Sequence, residues 1–231
     1  MSLSASSFDL VIFDCDGVLV DSEIISCRTH ADVLTSAGYP ITAEEVHARF
    51  LGRSSREARI EIEADLGRAL PDDFDSQLHD VLFRDFRSSL QQIPGMAGTL
   101  ADLTIPVCVA SSGSPERIRL ALELVGLHER FAPHIFSASQ VANGKPAPDL
   151  FLFAAEQMQA QPARCVVIED SVAGVIGAQR AGMTVLGFHG GSHCGPDSAD
   201  ALLYAGAAAT FADMRQLPTL LERSGYAGAS A

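Results

Sequence analysis

Short apolar, β-branched runs recur along this chain at Leu10–Phe13, 107–110, 134–137, 165–168 and Thr184–Phe188. Runs of this length predict strands buried on both faces, as in a parallel sheet. Helical periodicity separates the later runs. After Ser114 as N-cap and Pro115 in the first helical position, Ile118, Ala121, Leu122 and Val125 fall on one face, and Gly126 stops the helix. Two further helices are predicted over 148–158 and 172–181, the second ending before Gly182. Strands alternating with helices predict an α/β fold on a parallel sheet.

The gap between the first and second runs is too long for one crossover. Residues 22–92 carry at least three helical patterns and no convincing strand. Ser22 can cap a helix ending at Gly38, and Ser54 or Ser55 one ending at Gly67. Over 73–90, Phe74, Leu78, Val81, Leu82 and Phe86 share one side. The expectation is a helical domain (22–92) inserted after strand one, over the ends of the strands, with 1–21 and 93–231 forming the sheet-bearing core.

Composition narrows the function classes. At 231 residues and 47% hydrophobic the chain can bury a real core, and no apolar run approaches the ~20 residues of a membrane-spanning helix. Met1 to Ser7 has neither the basic nor the apolar stretch of a secretory signal. Five scattered cysteines with no CxxC pair fit reduced thiols, so a cytoplasmic protein is expected. A formal net charge of −13 argues against nucleic acid or an anionic membrane as partner. A small molecule is the expected partner, on a monomer or weak dimer. Fifteen of the basic residues are arginine and one, Lys145, is lysine.

Open parallel sheets bind ligands beyond the carboxyl ends of their strands. There the sequence places Asp14-Cys15-Asp16-Gly17 after the first strand, Ser111-Ser112-Gly113-Ser114 after the second, and Glu169-Asp170-Ser171 after a later one. Lys145 precedes a helix in Lys145-Pro146-Ala147-Pro148-Asp149. Carboxylates gathered on one rim repel each other unless a cation sits among them, and hard oxygen donors favour Mg²⁺. Asp14 and Asp170 could bind it by side chain, Asp16 by its carbonyl, and Glu169 directly or through water. One Asp14 oxygen is then left to attack phosphorus, with Asp16 placed to protonate the leaving alkoxide and later to activate water. Ser111, Ser112 and the amides before a helix N-terminus form an anion cradle, and Lys145 supplies a compact positive charge to both Asp14 and the phosphate.

Each piece alone has a plainer explanation. An Asp-x-Asp after a strand often only caps a turn, serines before a helix are usually N-caps, and a loop lysine is usually solvated. Gly144-Lys145 is not a phosphate-binding P-loop, because Pro146 stands where Ser or Thr is required. His189, His193 and Cys194 look loosely zinc-like but lack a fourth ligand, and Cys15 reads as packing. The order and strand-end placement of the whole set carry the argument.

That set resembles the haloacid dehalogenase superfamily. The DCDGVLVDSE stretch matches its first motif, with Asp14 as nucleophile and Asp16 as acid/base. Ser111 matches the second motif, Lys145 in GKPAPD the third, and Glu169-Asp170 in VIEDSVAG the fourth. Within it the chain is similar to the β-phosphoglucomutase and sugar-phosphate phosphatase group. FDCDG, VDSE, EDSVAG and the ending at 217–225 resemble 6-phosphogluconate phosphatase-type enzymes. The resemblance implies a Rossmann-like, three-layer core with an α-helical cap, and a Mg²⁺-dependent phosphoric monoester hydrolase acting on small phosphorylated metabolites.

True dehalogenases lack the second motif-one carboxylate, so Asp16 argues against dehalogenation. The alternative activity is a phosphosugar mutase, but Ser26 stands where β-phosphoglucomutases carry a histidine. The loop at 51–56 resembles the group's specificity loop, in which Arg53 or Arg56 could grip a carboxylate or second anion, or could simply be solvated at a helix start. A phospho-acceptor switch would also join Asp, hydroxyl and Lys on a parallel sheet, but it needs neither Asp16 nor the long insertion.

Overall fold

The computed structural model describes residues 8–50 and 55–227, with the backbone alone for 55–57 and 223–227. A six-stranded parallel sheet is built from β1 (Leu10–Phe13), β2 (Val107–Ser111), β3 (Ile135–Ser137), β4 (Cys165–Glu169), β5 (Thr184–Phe188) and β6 (Ala209–Phe211), in the order β3-β2-β1-β4-β5-β6. Every residue of β1, β2 and β4 is buried, which is why these strands read as unbroken apolar runs rather than alternating ones. β6 was not expected. Its three residues follow a run of alanines at the sheet edge, with Phe211 buried and Ala209 and Thr210 only partly so, and three residues are too few for a hydrophobic pattern to mark them.

Among the described residues, the helices that flank the strands of this unit are α5 (Met96–Asp102), α6 (Pro115–Leu124), α7 (His128–Phe131), α8 (Asp149–Gln157), α9 (Val172–Arg180), α10 (Ser198–Ala205) and, after the last strand, α11 (Leu217–Ala227). α6 begins as predicted, with the Ser114 hydroxyl accepting from the Arg117 amide at 3.2 Å and Pro115 in the first turn. Leu150, Phe151 and Ala154 of α8 and Val175 and Ala178 of α9 pack in one core with Leu10, Ile12, Cys165 and Val167. Each such fully buried large side chain contributes about 1.5–3 kcal/mol.

The chain divides into two compact units, Met1–Asp21 with Gln92–Ala231, and Ser22–Gln91. Among the described residues the elements of the second are helices: α1 (Glu23–Ser36), α2 (Ala43–Phe50), α3 (Ser55–Leu66) and α4 (Phe74–Ser89). It has its own core, including Cys27, Leu34, Tyr39, Val46, Ile62 and Phe74. On α4 the predicted side is right in outline: Phe74, Leu82 and Phe86 are buried and Leu78 and Val81 pack partly buried, joined by an unanticipated Phe83. Ser22 precedes α1 but makes no side-chain cap bond, a correction to the expected capping. Ser54 and the side chain of Ser55 lie outside the described residues.

Candidate active site

The strand register brings the chemistry together. Phe13 is level with Val109 on one side and Ile168 on the other, so Asp14, Ser111 and Glu169 all lie at the carboxyl ends of three adjacent strands. This is where the sheet order reverses direction of growth, the expected ligand position in an open α/β sheet.

Asp14 follows β1 directly, and its amide donates to the Ile168 carbonyl at 3.0 Å, extending the ladder one residue past the strand. The chain then turns back, with the Gly17 amide on the Val20 carbonyl and the Leu19 and Val20 amides on that of Cys15. Gly17 holds φ at 81°, where a Cβ is strained. A Cβ there would also stand 1.8 Å from Asp170 Oδ2. One glycine thus makes the turn and admits the carboxylate.

Lys145 arrives from the loop ahead of α8. Its ammonium donates to Asp14 Oδ1 at 2.5 Å and to Glu169 Oε1 at 2.6 Å, and it lies 5.1 Å from the centre of the Phe151 ring. The loop is fixed by Arg180, whose guanidinium donates to the Pro146 carbonyl at 3.0 Å. Glu169 is wholly buried. Its second oxygen accepts from the Asp170 and Ser171 amides, both at 3.0 Å, and from the Ser171 hydroxyl at 2.9 Å. Gly174 of α9 makes room for this carboxylate, since a Cβ would fall 1.8 Å from Oε1. Both oxygens of Glu169, one of the metal candidates, thus accept from protein donors, one of them Lys145.

The electrostatics follow from burial. Desolvation pushes the Asp14 carboxyl well above the usual carboxylate range; Lys145 opposes the rise, and Glu169, Asp170 and Asp16 add to it. Burial would lower the Lys145 ammonium, but Asp14 and Glu169 outweigh it and hold the group charged above its ordinary value. The remaining candidates are close by in the fold. Asp16 Oδ1 accepts from the Arg117 guanidinium of α6 at 2.9 Å. Ser111 is buried and its hydroxyl accepts from the Gly113 amide at 3.1 Å. Ser112 is exposed.

Residues 8–182 match the haloacid dehalogenase-like hydrolase family. The chain belongs to the haloacid dehalogenase-like hydrolases. It is similar to 6-phosphogluconate phosphatase of Escherichia coli K12, 30% identical over 96% of this chain and 98% of that one. It is similar also to a phosphorylated carbohydrates phosphatase of Thermotoga maritima, at 35% identity over 87% of this chain and 93% of the relative. A solved HAD family hydrolase from Deinococcus radiodurans R1, with bound phosphate and sodium, superposes with a TM-score of 0.78 at 35% identity, covering 96% of this chain and 98% of that one.

In this hydrolase the donor chemistry fits a magnesium ion. Burial first and then the neighbouring carboxylates raise Asp14, with Lys145 opposing, and a divalent cation is the counter-charge that would relieve the crowding. Among the described residues no group of three or more His, Cys, Asp or Glu side chains is placed to hold a metal. Asp14 and Asp170 supply two carboxylates. That pattern suits Mg²⁺, which keeps several waters and takes one or two carboxylates plus substrate phosphate.

Two residues of the site escaped sequence reasoning. Arg117 could have been suspected as the only arginine in the first turn of α6, just after the Ser111 loop. In the sequence His193 carries only a loosely zinc-like pattern; the structure places its Nε2 3.1 Å from Asp170 Oδ2, with both side chains buried. Arg53 lies outside the described residues, as does the side chain of Arg56.

Proposed function

We propose that this hydrolase is a Mg²⁺-dependent phosphatase of small phosphorylated metabolites, sugar or sugar-acid phosphates, working through an aspartyl-phosphate on Asp14. The observation that carries the reading is Asp14 itself: a buried carboxylate at the switch of a parallel sheet, with one oxygen held on a buried lysine and three more carboxylates around it. A structural ion pair would not gather four acids around one ammonium.

Lys145 fixes Oδ1 and leaves the other Asp14 oxygen to attack phosphorus in line with the departing alkoxide. Asp16, steadied by Arg117, gives the alkoxide its proton. In the second half-reaction Asp16 takes a proton from water, which attacks the phosphorus of the acyl-phosphate and restores Asp14. Ser111 and the amides leading into α6, with Lys145, hold the phosphoryl oxygens. Asp14, Asp170 and the Asp16 carbonyl, with Glu169 directly or through water, would bind the ion, which when present neutralises negative charge on the phosphate.

We assign substrate choice to the helical insertion as cap, with Arg53 and Arg56 its candidate anion contacts. The names of the two phosphatase relatives support a phosphorylated carbohydrate. Ser26, a buried hydroxyl on α1, speaks against a mutase that would use a histidine there. The test is phosphate release from p-nitrophenyl phosphate and a panel of sugar, sugar-acid and nucleotide phosphates, with Mg²⁺, with EDTA, and with Asp14→Asn. Release needing both metal and Asp14, greatest on a sugar or sugar-acid phosphate, is expected. No release by folded, Mg²⁺-supplied protein would overturn the reading, and interconversion of hexose phosphates faster than hydrolysis would replace it with the mutase.

A further inference from the structure

The loop after β5 touches the site at a point the proposed reaction does not use. Within it, His193 has only 6% of its side chain exposed, and its Nε2 stands 3.1 Å from Asp170 Oδ2. A carboxylate oxygen only accepts, so the imidazole is the donor. The contact is built rather than incidental. A Cβ on Gly191 would come within 2.7 Å of the ring, and one on Gly17 would collide with both the ring, at 2.9 Å, and the Asp170 carboxylate. Two glycines therefore leave the space in which this pair meets. Next in the chain, Ser192 donates from its amide, at 3.1 Å, and its hydroxyl, at 2.8 Å, to Asp21 Oδ1. The loop is thus anchored to the segment that follows the Asp14 turn. The Cys194 sulfur lies 3.4 Å from the same imidazole nitrogen.

We propose that His193 is a positioning residue for the magnesium site: its imidazole holds one Asp170 oxygen so that the other is presented to the ion. This rests on the reading of Asp170 as a metal ligand. Partners that orient a ligating carboxylate tune metal affinity, and their loss typically costs about 10–100-fold. The imidazole touches neither substrate nor phosphorus in this role, so its effect should appear in ion binding before any turnover.

The experiment measures Mg²⁺ binding to the full-length protein without substrate, by titration calorimetry and by the rise of Tm with Mg²⁺. The proteins are the wild type, His193→Ala, His193→Gln, Ser192→Ala and Asp170→Asn. Expected are near-complete loss of binding in Asp170→Asn and a loss of about 10–100-fold in His193→Ala. His193→Gln should recover most of it, because its amide can donate from nearly the position of Nε2. Ser192→Ala, which loosens only the anchor, should fall between His193→Gln and His193→Ala. A His193→Ala protein that binds Mg²⁺ as tightly as wild type while Asp170→Asn does not would overturn the role of His193 alone. Equal weakening in His193→Ala and His193→Gln would also overturn it, by reducing the histidine to packing. Undiminished binding in Asp170→Asn would instead remove the metal-ligand reading of Asp170, and this inference with it.

Discussion

Two clusters of ion pairs in this protein have nearly the same geometry and opposite surroundings. At the strand ends Lys145 pairs with Asp14 and Glu169 at 2.5 and 2.6 Å, with side chains 5%, 9% and 1% exposed. In the helical insertion Arg49 pairs with Glu61 and Asp65, both at 2.7 Å, with side chains 37%, 33% and 46% exposed. Arg49 also lies over the Tyr39 and Phe50 rings, and the Tyr39 hydroxyl donates to Asp65 at 2.6 Å. Distances alone would rank the clusters as equals. Desolvation separates them: burying charge costs several kcal/mol per ion, and an apolar substitute of similar volume would often hold a fold as well. The proposed chemistry gives the buried cluster a reason to persist that stability alone does not. The exposed one is a modest brace over a small helical core, of the kind surface pairs usually provide.

The largest expected effect comes from cutting the buried cluster at its reactive end. Asp14→Asn keeps the shape of the side chain and removes the proposed nucleophile, so phosphate release should fall by about a thousandfold or more, read in the same assay that finds the substrate. A folded Asp14→Asn protein with near wild-type turnover would erase the distinction drawn between the two clusters. Next, Lys145→Ala strands Glu169 and Asp14 without their cation. It should cost about 3–5 kcal/mol of stability, measured by urea unfolding, as well as activity. Arg49→Ala should lower the urea midpoint much less and leave Mg²⁺-dependent hydrolysis of p-nitrophenyl phosphate in place. A loss as large as that of Lys145→Ala would mean the insertion's brace is structural in its own right.

Acid sharpens the contrast further. The Tyr39 hydroxyl and the Arg49 guanidinium hold the Asp65 carboxyl below its ordinary 3.8. A carboxyl depressed on folding contributes stability that is present above its unfolded value and lost as pH falls through its folded one. The stability gap between wild type and Arg49→Ala should therefore persist at neutral pH and close below about pH 3.8, followed by circular dichroism. The smallest effect concerns thiols. Burial pushes Cys27 and Cys165 up to about 11 and Cys15 and Cys108 higher still, whereas Cys194 is partly exposed. Iodoacetamide near neutral pH should label Cys194 first, as peptide mapping would show.

How far the sequence was readable depended on the range of the interaction. β1 and β5 match the expected runs residue for residue, and β2, β3 and β4 differ from theirs by one residue at an end, because a strand buried on both faces writes itself as a local apolar block. α6 was legible in its caps. α7 is a single turn and β6 a three-residue edge strand, too short for any period to register. Lys145 meets Asp14 across 131 positions of sequence. Only the rule that ligands gather beyond strand ends, together with the family resemblance, put the two side by side. No such rule covers the loop after β5, so the meeting of His193 with Asp170 was invisible until the chain was folded. Arg117 escaped for the same reason, since periodicity shows a helix's buried face and says nothing of which polar side chain reaches back over its N-terminus.

The way the chain leaves and rejoins the sheet-bearing unit has a consequence for descent. Val20 pairs antiparallel with Gln92, and the Ile93 amide donates to the Leu19 carbonyl at 3.0 Å. Exit and re-entry are thus stapled side by side by the host unit's own backbone. Whatever lies between them closes a loop whose ends are already fixed, and the entropy of such closure grows only slowly with length. A change in the length of the insertion therefore need not move Asp14 from its strand end, which makes this pair of bonds a natural graft junction for chimeras that test the proposed role of the insertion in substrate choice.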